Sequence, residues 1–117
     1  MEKSVINLTK FKATAELERF GVRDLSSWKE FQEIRNLLFF PTPPTQDIVA
    51  TRVERLGAIA LKEAQKTGSD SVLVSCPPWM MQALCSELVY LNLKPVVSFT
   101  KKTNEEGLSV ISLVAAA

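Results

Sequence analysis

Val5, Ile6 and Leu8 form a short apolar, partly β-branched run that turns polar at Thr9, Lys10 and Lys12. That pattern predicts a strand followed by a turn. Thr14 then stands where its hydroxyl can cap a helix over Ala15 to Phe20, and Gly21 can stop it. Val22 to Leu25 fits a second, very short strand. Ser27 and Glu30 have capping-box spacing, in which each side chain satisfies an amide left open at a helix start. Trp28, Phe31, Ile34 and Leu38 recur at helical spacing and predict a face docked on the sheet. Pro41, Pro43 and Pro44 break this helix, because proline lacks the amide donor and clashes with the preceding turn. Thr45 caps the next helix, expected from about Gln46 to Thr67. Its apolar stripe is Val49, Val53, Leu56 and Ala60; Asp47 and Lys62 with Lys66 complement the dipole, and Gly68 ends it.

Val72, Leu73 and Val74 are apolar without alternation, as expected of a parallel strand covered on both faces. Pro78 suits the first turn of a following helix, where its missing amide costs nothing. That helix, running to about Asn92, carries Met80, Met81, Leu84, Cys85, Leu88, Val89 and Leu91, with Glu87 as its one charge. So broad an apolar surface exceeds one core-facing stripe and predicts that part of it faces a second subunit in a homodimer. Pro95 to Phe99 is the next strand, Asn104 to Gly107 a loop, and Leu108 to Val114 a last strand returning antiparallel. The alternation predicts a single Rossmann-like α/β domain over residues 1–117. It has three layers and a short, mostly parallel sheet with an antiparallel C-terminal strand.

Composition narrows the function. With 46% hydrophobic and 23% charged residues the chain is a folding one, not a disordered one. A net charge of +1 is unlike a duplex nucleic-acid binder, so any anion site must come from local clustering. Histidine is absent, which removes the commonest metal ligand and the commonest neutral-pH general base. No metal or other cofactor is expected. Cys76 at a helix start and Cys85 further along it lie on separate turns, which predicts reduced thiols of a cytosolic protein. No apolar run approaches the ~20 residues of a membrane span, and Met1 to Lys3 lead into only a short apolar run, so a cytoplasmic address without membrane contact is expected.

Ligands of open α/β sheets bind at the strand ends, which points to three groups. They are Asn7, Thr9 and Lys10; Ser75, Cys76 and Trp79; and Ser98, Thr100, Lys101 and Lys102. Amides at the start of the Pro78 helix add positive potential, diminished by the two prolines there. An anion is the natural guest, since charge-assisted hydrogen bonds contribute about 1.5–3 kcal/mol each and hydroxyls orient a phosphate or a ribose. The plainer reading makes Lys101 and Lys102 a solvated turn and Thr9 with Lys10 a strand end. Trp79 can stack on a base or pack into the core or a dimer seam. Cys76 is either a buried thiol or, at a helix N-terminus, an activated one, although no histidine is present to deprotonate it. Glu105 and Glu106 are an acid–base pair or a hydrated loop.

The order of Asn7, Leu8 and Thr9, then Ala13 to Glu16, Gly21 to Asp24, Pro77 to Met81 and Lys94 to Lys102 resembles small Rossmann-like accessory proteins of type III CRISPR systems. The likeness spans most of the chain through short motifs. It implies a homodimer that senses cyclic oligoadenylates in antiviral defence, with Thr9 and Lys10, the Ser75 to Trp79 turn, and Thr100 to Lys102 around the phosphates. Some members of that group cleave the ring. In the group a histidine commonly follows the first strand, where this chain has Phe11, and another lies near the C-terminus, where this chain has Ala115 to Ala117. Three readings follow: nucleotide or cyclic-oligonucleotide binding; metal-independent ring cleavage, with Lys101 or Lys102 stabilising charge as a 2′-hydroxyl attacks; and a homodimeric interaction subunit without ligand.

Overall fold

The apolar run at Val72 to Val74 lies in the middle strand of a five-stranded sheet. The computed structural model describes residues 4–103 and 107–116, of which 101–103 and 107–111 are described by their backbone alone. In chain order the elements are β1 (Val5–Leu8), α1 (Ala15–Arg19), β2 (Val22–Arg23), α2 (Trp28–Leu37), α3 (Gln46–Thr67), β3 (Ser71–Val74), α4 (Pro78–Tyr90), β4 (Lys94–Thr103) and β5 (Gly107–Ala115). The strand order is β2-β1-β3-β4-β5. The first four strands are mutually parallel and β5 returns antiparallel to β4, so the Rossmann-like α/β architecture expected from the pattern is the one observed.

Alternation along the short strands divides the core in two. Ile6, Leu8, Val72 and Val74 pack against Ile34 and Leu38 of the α2 region, Val53, Leu56 and Ala60 of α3, and Met80, Leu84 and Leu88 of α4. Val5, Val22 and Leu73 point the other way, where Ala13 and Leu17 of the short α1 segment cover them. Three helices therefore lie on one face and one small helix on the other. The β1-to-β2 connection runs over the α1 face and the β3-to-β4 connection over the opposite face, as right-handed crossovers leaving in opposite directions require. The strand order therefore reverses between β1 and β3.

The helix ends follow their capping chemistry. Thr14, Ser27 and Thr45 accept from the amides of Leu17, Glu30 and Ile48, and Gly68 closes α3 at φ 77°. Asn92, at φ 63°, makes the corresponding left-handed turn after α4, which asparagine tolerates better than most residues. Only half of the expected capping box forms at α2: the Glu30 carboxylate reaches Lys62 of α3 at 3.5 Å. Trp28 also departs from expectation. Phe31, Ile34 and Leu38 are buried, but Trp28 is 57% exposed, with the Lys12 ammonium 5.1 Å from its ring centroid. The described residues hold no helix long and apolar enough to cross a membrane.

α3 and α4 approach closely at Gly57, where a Cβ would sit 2.9 Å from Glu87 Cγ and 3.1 Å from Leu91 Cδ1. Gly57→Val should therefore destabilise the fold by about 1–3 kcal/mol through overpacking. Val at the exposed neighbour Ala58 carries the same branched side chain without the clash. Chemical denaturation should show a large loss for the first substitution and only tenths of a kcal/mol for the second; equal losses would mean that helix propensity, not the α3–α4 contact, sets the cost.

Candidate functional site

The register places one residue of each predicted group along one edge. Leu8 pairs with Val74 and Leu73 with Val96, so Thr9, Ser75 and Ser98 follow at one level across β1, β3 and β4. α4 starts immediately beyond this edge, and α3, which runs back toward the opposite edge before β3 begins, starts there too. Beyond Ser98 the ribbon of β4 and β5 continues past the parallel strands. At about 3.3 Å per residue, the backbone of Lys101 and Lys102 stands ~10–13 Å beyond Ser98. Their side chains, like Glu105 and Glu106 altogether, lie outside the described residues.

Asn7 and Thr9 are buried, and they build the loop after β1. The Asn7 Nδ2 group donates to Phe11 O at 2.8 Å and to Asp24 Oδ1 at 2.9 Å, while its Oδ1 accepts from Thr9 Oγ1 at 2.7 Å and from the Thr9 amide at 3.2 Å. Asp24 Oδ1 also accepts from the Ala13 amide at 2.8 Å. All four hydrogen-bonding positions of the Asn7 amide are thereby used. The loop they hold exposes Lys10 and Phe11 to solvent.

Two concavities open at this edge, divided by the turn between α2 and α3. Phe40 lines one and its neighbour Phe39 the other. The Phe40 side is an apolar cavity of about 800 Å³ between Pro41 to Gln46, Val49, Ala50 and the first turns of α4. Trp79, 53% exposed, meets Phe40 edge-on there with ring centroids 4.9 Å apart. Thr42, Thr45 and Gln46 are its polar lining residues, the Thr45 hydroxyl also capping α3 through the Ile48 amide. Arg52 of α3 pins the turn: its Nη1 donates to Leu37 O at 3.1 Å and Phe39 O at 2.6 Å, and its guanidinium lies 4.3 Å from the Phe40 centroid. The Phe39 side is a smaller, more polar cleft of about 420 Å³ that includes Lys10.

The predicted residues therefore fall into separate places. Lys10 lines the polar cleft and Trp79 the apolar cavity, Ser75 is exposed just beyond β3, and Ser98 and Thr100 are exposed within β4, which runs on to Thr103 because it pairs with β5, and so not at a strand end. Phe40, Arg52 and Arg35 were not legible as site residues, because only the antiparallel packing of α2 on α3 brings them to this edge. The two phenylalanines just before the proline run were the available signal. A third, apolar groove follows the outward side of α4 beside β5, where Val89 and Tyr90 are exposed next to Met81, Cys85 and Ala116.

Cys76 and Cys85 are free thiols, and Cys76 Sγ lies 4.0 Å from Met81 Sδ. Burial, with a smaller contribution from the neighbouring Cys85, pushes the Cys76 thiol from its ordinary value near 9.0 up to about 11. At neutral pH it is protonated, the opposite of an activated nucleophile. Stability gained by burying the neutral thiol is complete below the free-thiol value and is lost as pH rises toward the folded one.

Two measurements probe this geometry. Asn7→Ala leaves the Phe11 carbonyl, the Asp24 carboxylate and Thr9 short of partners and should cost about 1–3 kcal/mol in denaturant unfolding; a loss within a few tenths would show that the loop does not depend on the amide. Iodoacetamide should modify Cys76 at pH 8 at least tenfold more slowly than the unfolded chain, since two pH units of elevation cut the thiolate roughly 100-fold. A rate equal to the unfolded one would contradict the burial. No family model, curated protein or solved structure matches this chain, so its functional reading rests on the edge itself.

Proposed function

We propose that this protein binds a nucleotide or cyclic oligonucleotide at the C-terminal edge of its parallel strands, with a base lodged against Trp79. The observation that carries the reading is the cavity walled by Trp79 and Phe40, which lies at the edge where ligands of open α/β sheets bind. It is apolar and aromatic with a few polar groups, the usual make-up of a small-molecule site. A base stacked on an exposed indole gains roughly 1–3 kcal/mol, and Thr42, Thr45 and Gln46 supply polar groups among the lining residues.

The resemblance to type III CRISPR accessory proteins makes cyclic oligoadenylates the first ligands to try and antiviral defence the expected setting. It also puts Thr9 and Lys10, Ser75 to Trp79, and Thr100 to Lys102 near the phosphates. Reception is favoured over ring cleavage. Imidazole is absent from the chain, and Cys76 at the edge is held protonated by its surroundings.

Thermal denaturation in the presence of cyclic tri-, tetra- and hexa-adenylate and of AMP should show stabilisation by at least one of them, because a ligand selective for the folded state raises its stability by mass action. Trp79→Ala should weaken that binding about 5- to 150-fold, the equivalent of 1–3 kcal/mol. The ligand should be recovered intact after prolonged incubation. Absence of any shift at concentrations far above micromolar would defeat the binding reading, and a linear product would replace reception by cleavage.

A further inference from the structure

The polar cleft on the other side of the α2–α3 turn has a different character from the Trp79 cavity. It is lined by Lys10 and Phe11 from the loop after β1, Gln32, Arg35 and Asn36 from α2, and Phe39 from the turn. Two cations and two amides line it, with no carboxylate among the lining residues. Among the described residues, neither Lys10 nor Arg35 has an acidic partner, and three acids of the α2–α3 hairpin are engaged elsewhere. Glu33 binds Arg55, Glu30 binds Lys62, and Glu63 accepts from the Ser26 amide and hydroxyl.

Arg35 lies in the last turn of α2, where a cation ordinarily compensates the exposed carbonyls of a helix end. Here Arg52 already donates to the carbonyls of Leu37 and Phe39. That leaves the charge of Arg35 for the cleft. Two aromatic rings also stand at its walls, Phe11 at 68% exposure with the Lys10 ammonium 5.7 Å from its centroid, and Phe39 at 63%, and such faces can stack on a planar guest. A volume of about 420 Å³ falls within the ordinary range for small-molecule pockets.

We propose that this cleft is the phosphate site of the protein, in which Lys10 and Arg35 hold a phosphoryl group of a nucleotide, Gln32 and Asn36 donate to its oxygens, and Phe11 and Phe39 flank its sugar or base. Arginine's planar fork and the lysine point charge suit a phosphate better than any uncharged guest. The choice of a nucleotide rests on the reading of the Trp79 cavity; the anion preference stands on the cleft alone.

Amide NMR spectra of the full chain titrated with AMP, adenosine and inorganic phosphate separate the two sites. AMP and phosphate should shift the amides of Lys10, Phe11, Asn36 and Phe39, AMP should bind at least tenfold more tightly than adenosine or phosphate, and added salt should weaken both anions. Lys10→Gln with Arg35→Gln should reduce AMP affinity at least tenfold while leaving the remaining spectrum folded, and Arg35→Lys should recover part of it. Shifts confined to the Trp79 indole and the Thr45 and Gln46 amides, unchanged in the double variant, would overturn this proposal and leave the Trp79 reading standing. Shifts in the cleft without any at Trp79 would support it and move the base out of the apolar cavity. Equal affinity for phosphate and AMP would overturn the nucleotide assignment, and no response to any probe at 10 mM, roughly the weak limit of specific binding, would overturn both sites.

Discussion

The constraint on which this structure depends is the burial of β1 and β3 on both faces. Val5, Ile6 and Leu8 of the one and Val72, Leu73 and Val74 of the other are all nearly solvent-free. A strand apolar on both sides needs cover above and below, so the connections must between them pass over both faces. With right-handed crossovers, that requirement sends β2 to one side of β1 and β4 to the far side of β3. The reversal between β1 and β3 is a consequence of burial, and the convergence of Thr9, Ser75 and the starts of α3 and α4 at one edge follows from it.

Much of this was legible because the signals were local. Thr45 and Gly68 bracket α3 through capping chemistry, and the unalternating Val72 to Val74 run marks a doubly covered strand. Legibility failed where tertiary partners decided the outcome. Trp28 keeps the spacing of a core position, yet its amphipathic ring lies under the Lys12 ammonium at the surface. β4 reads as ending at Phe99, but pairing with β5 carries it through Thr100 to Thr103, across two lysines, a residue type depleted in strands. The candidate site divides in the same way. Its strand-end residues were predictable from the order of elements, whereas Arg35, Phe39, Phe40 and Arg52 reach the edge only through the packing of α2 against α3.

Arg52 gives that packing a further consequence. By binding the Leu37 and Phe39 carbonyls and lying over Phe40, one side chain caps α2, fixes the turn and sets adjacent phenylalanines on opposite sides of it. Both carbonyls accept from the one nitrogen, Nη1, and the flat face of the guanidinium lets the same group lie over the ring. The apolar cavity and the polar cleft are thus two sides of a single ridge, and their separation is maintained from α3.

A protein with a net charge of +1 has no global field with which to attract a polyanion, so selectivity for a small anion must arise from how its charges are partitioned. The exposed pairs along the α2–α3 hairpin contribute little to stability, since surface salt bridges are commonly worth about 0–1 kcal/mol. Their effect on the potential is larger than their effect on folding. Glu33 is matched with Arg55 and Glu30 with Lys62 lower on the hairpin, while Asp47 stands in the first turn of α3 on the Arg52 side of the turn. Lys10 and Arg35 have no bound carboxylate among the described residues, and the cleft they line opens at the edge where ligands of open α/β sheets bind.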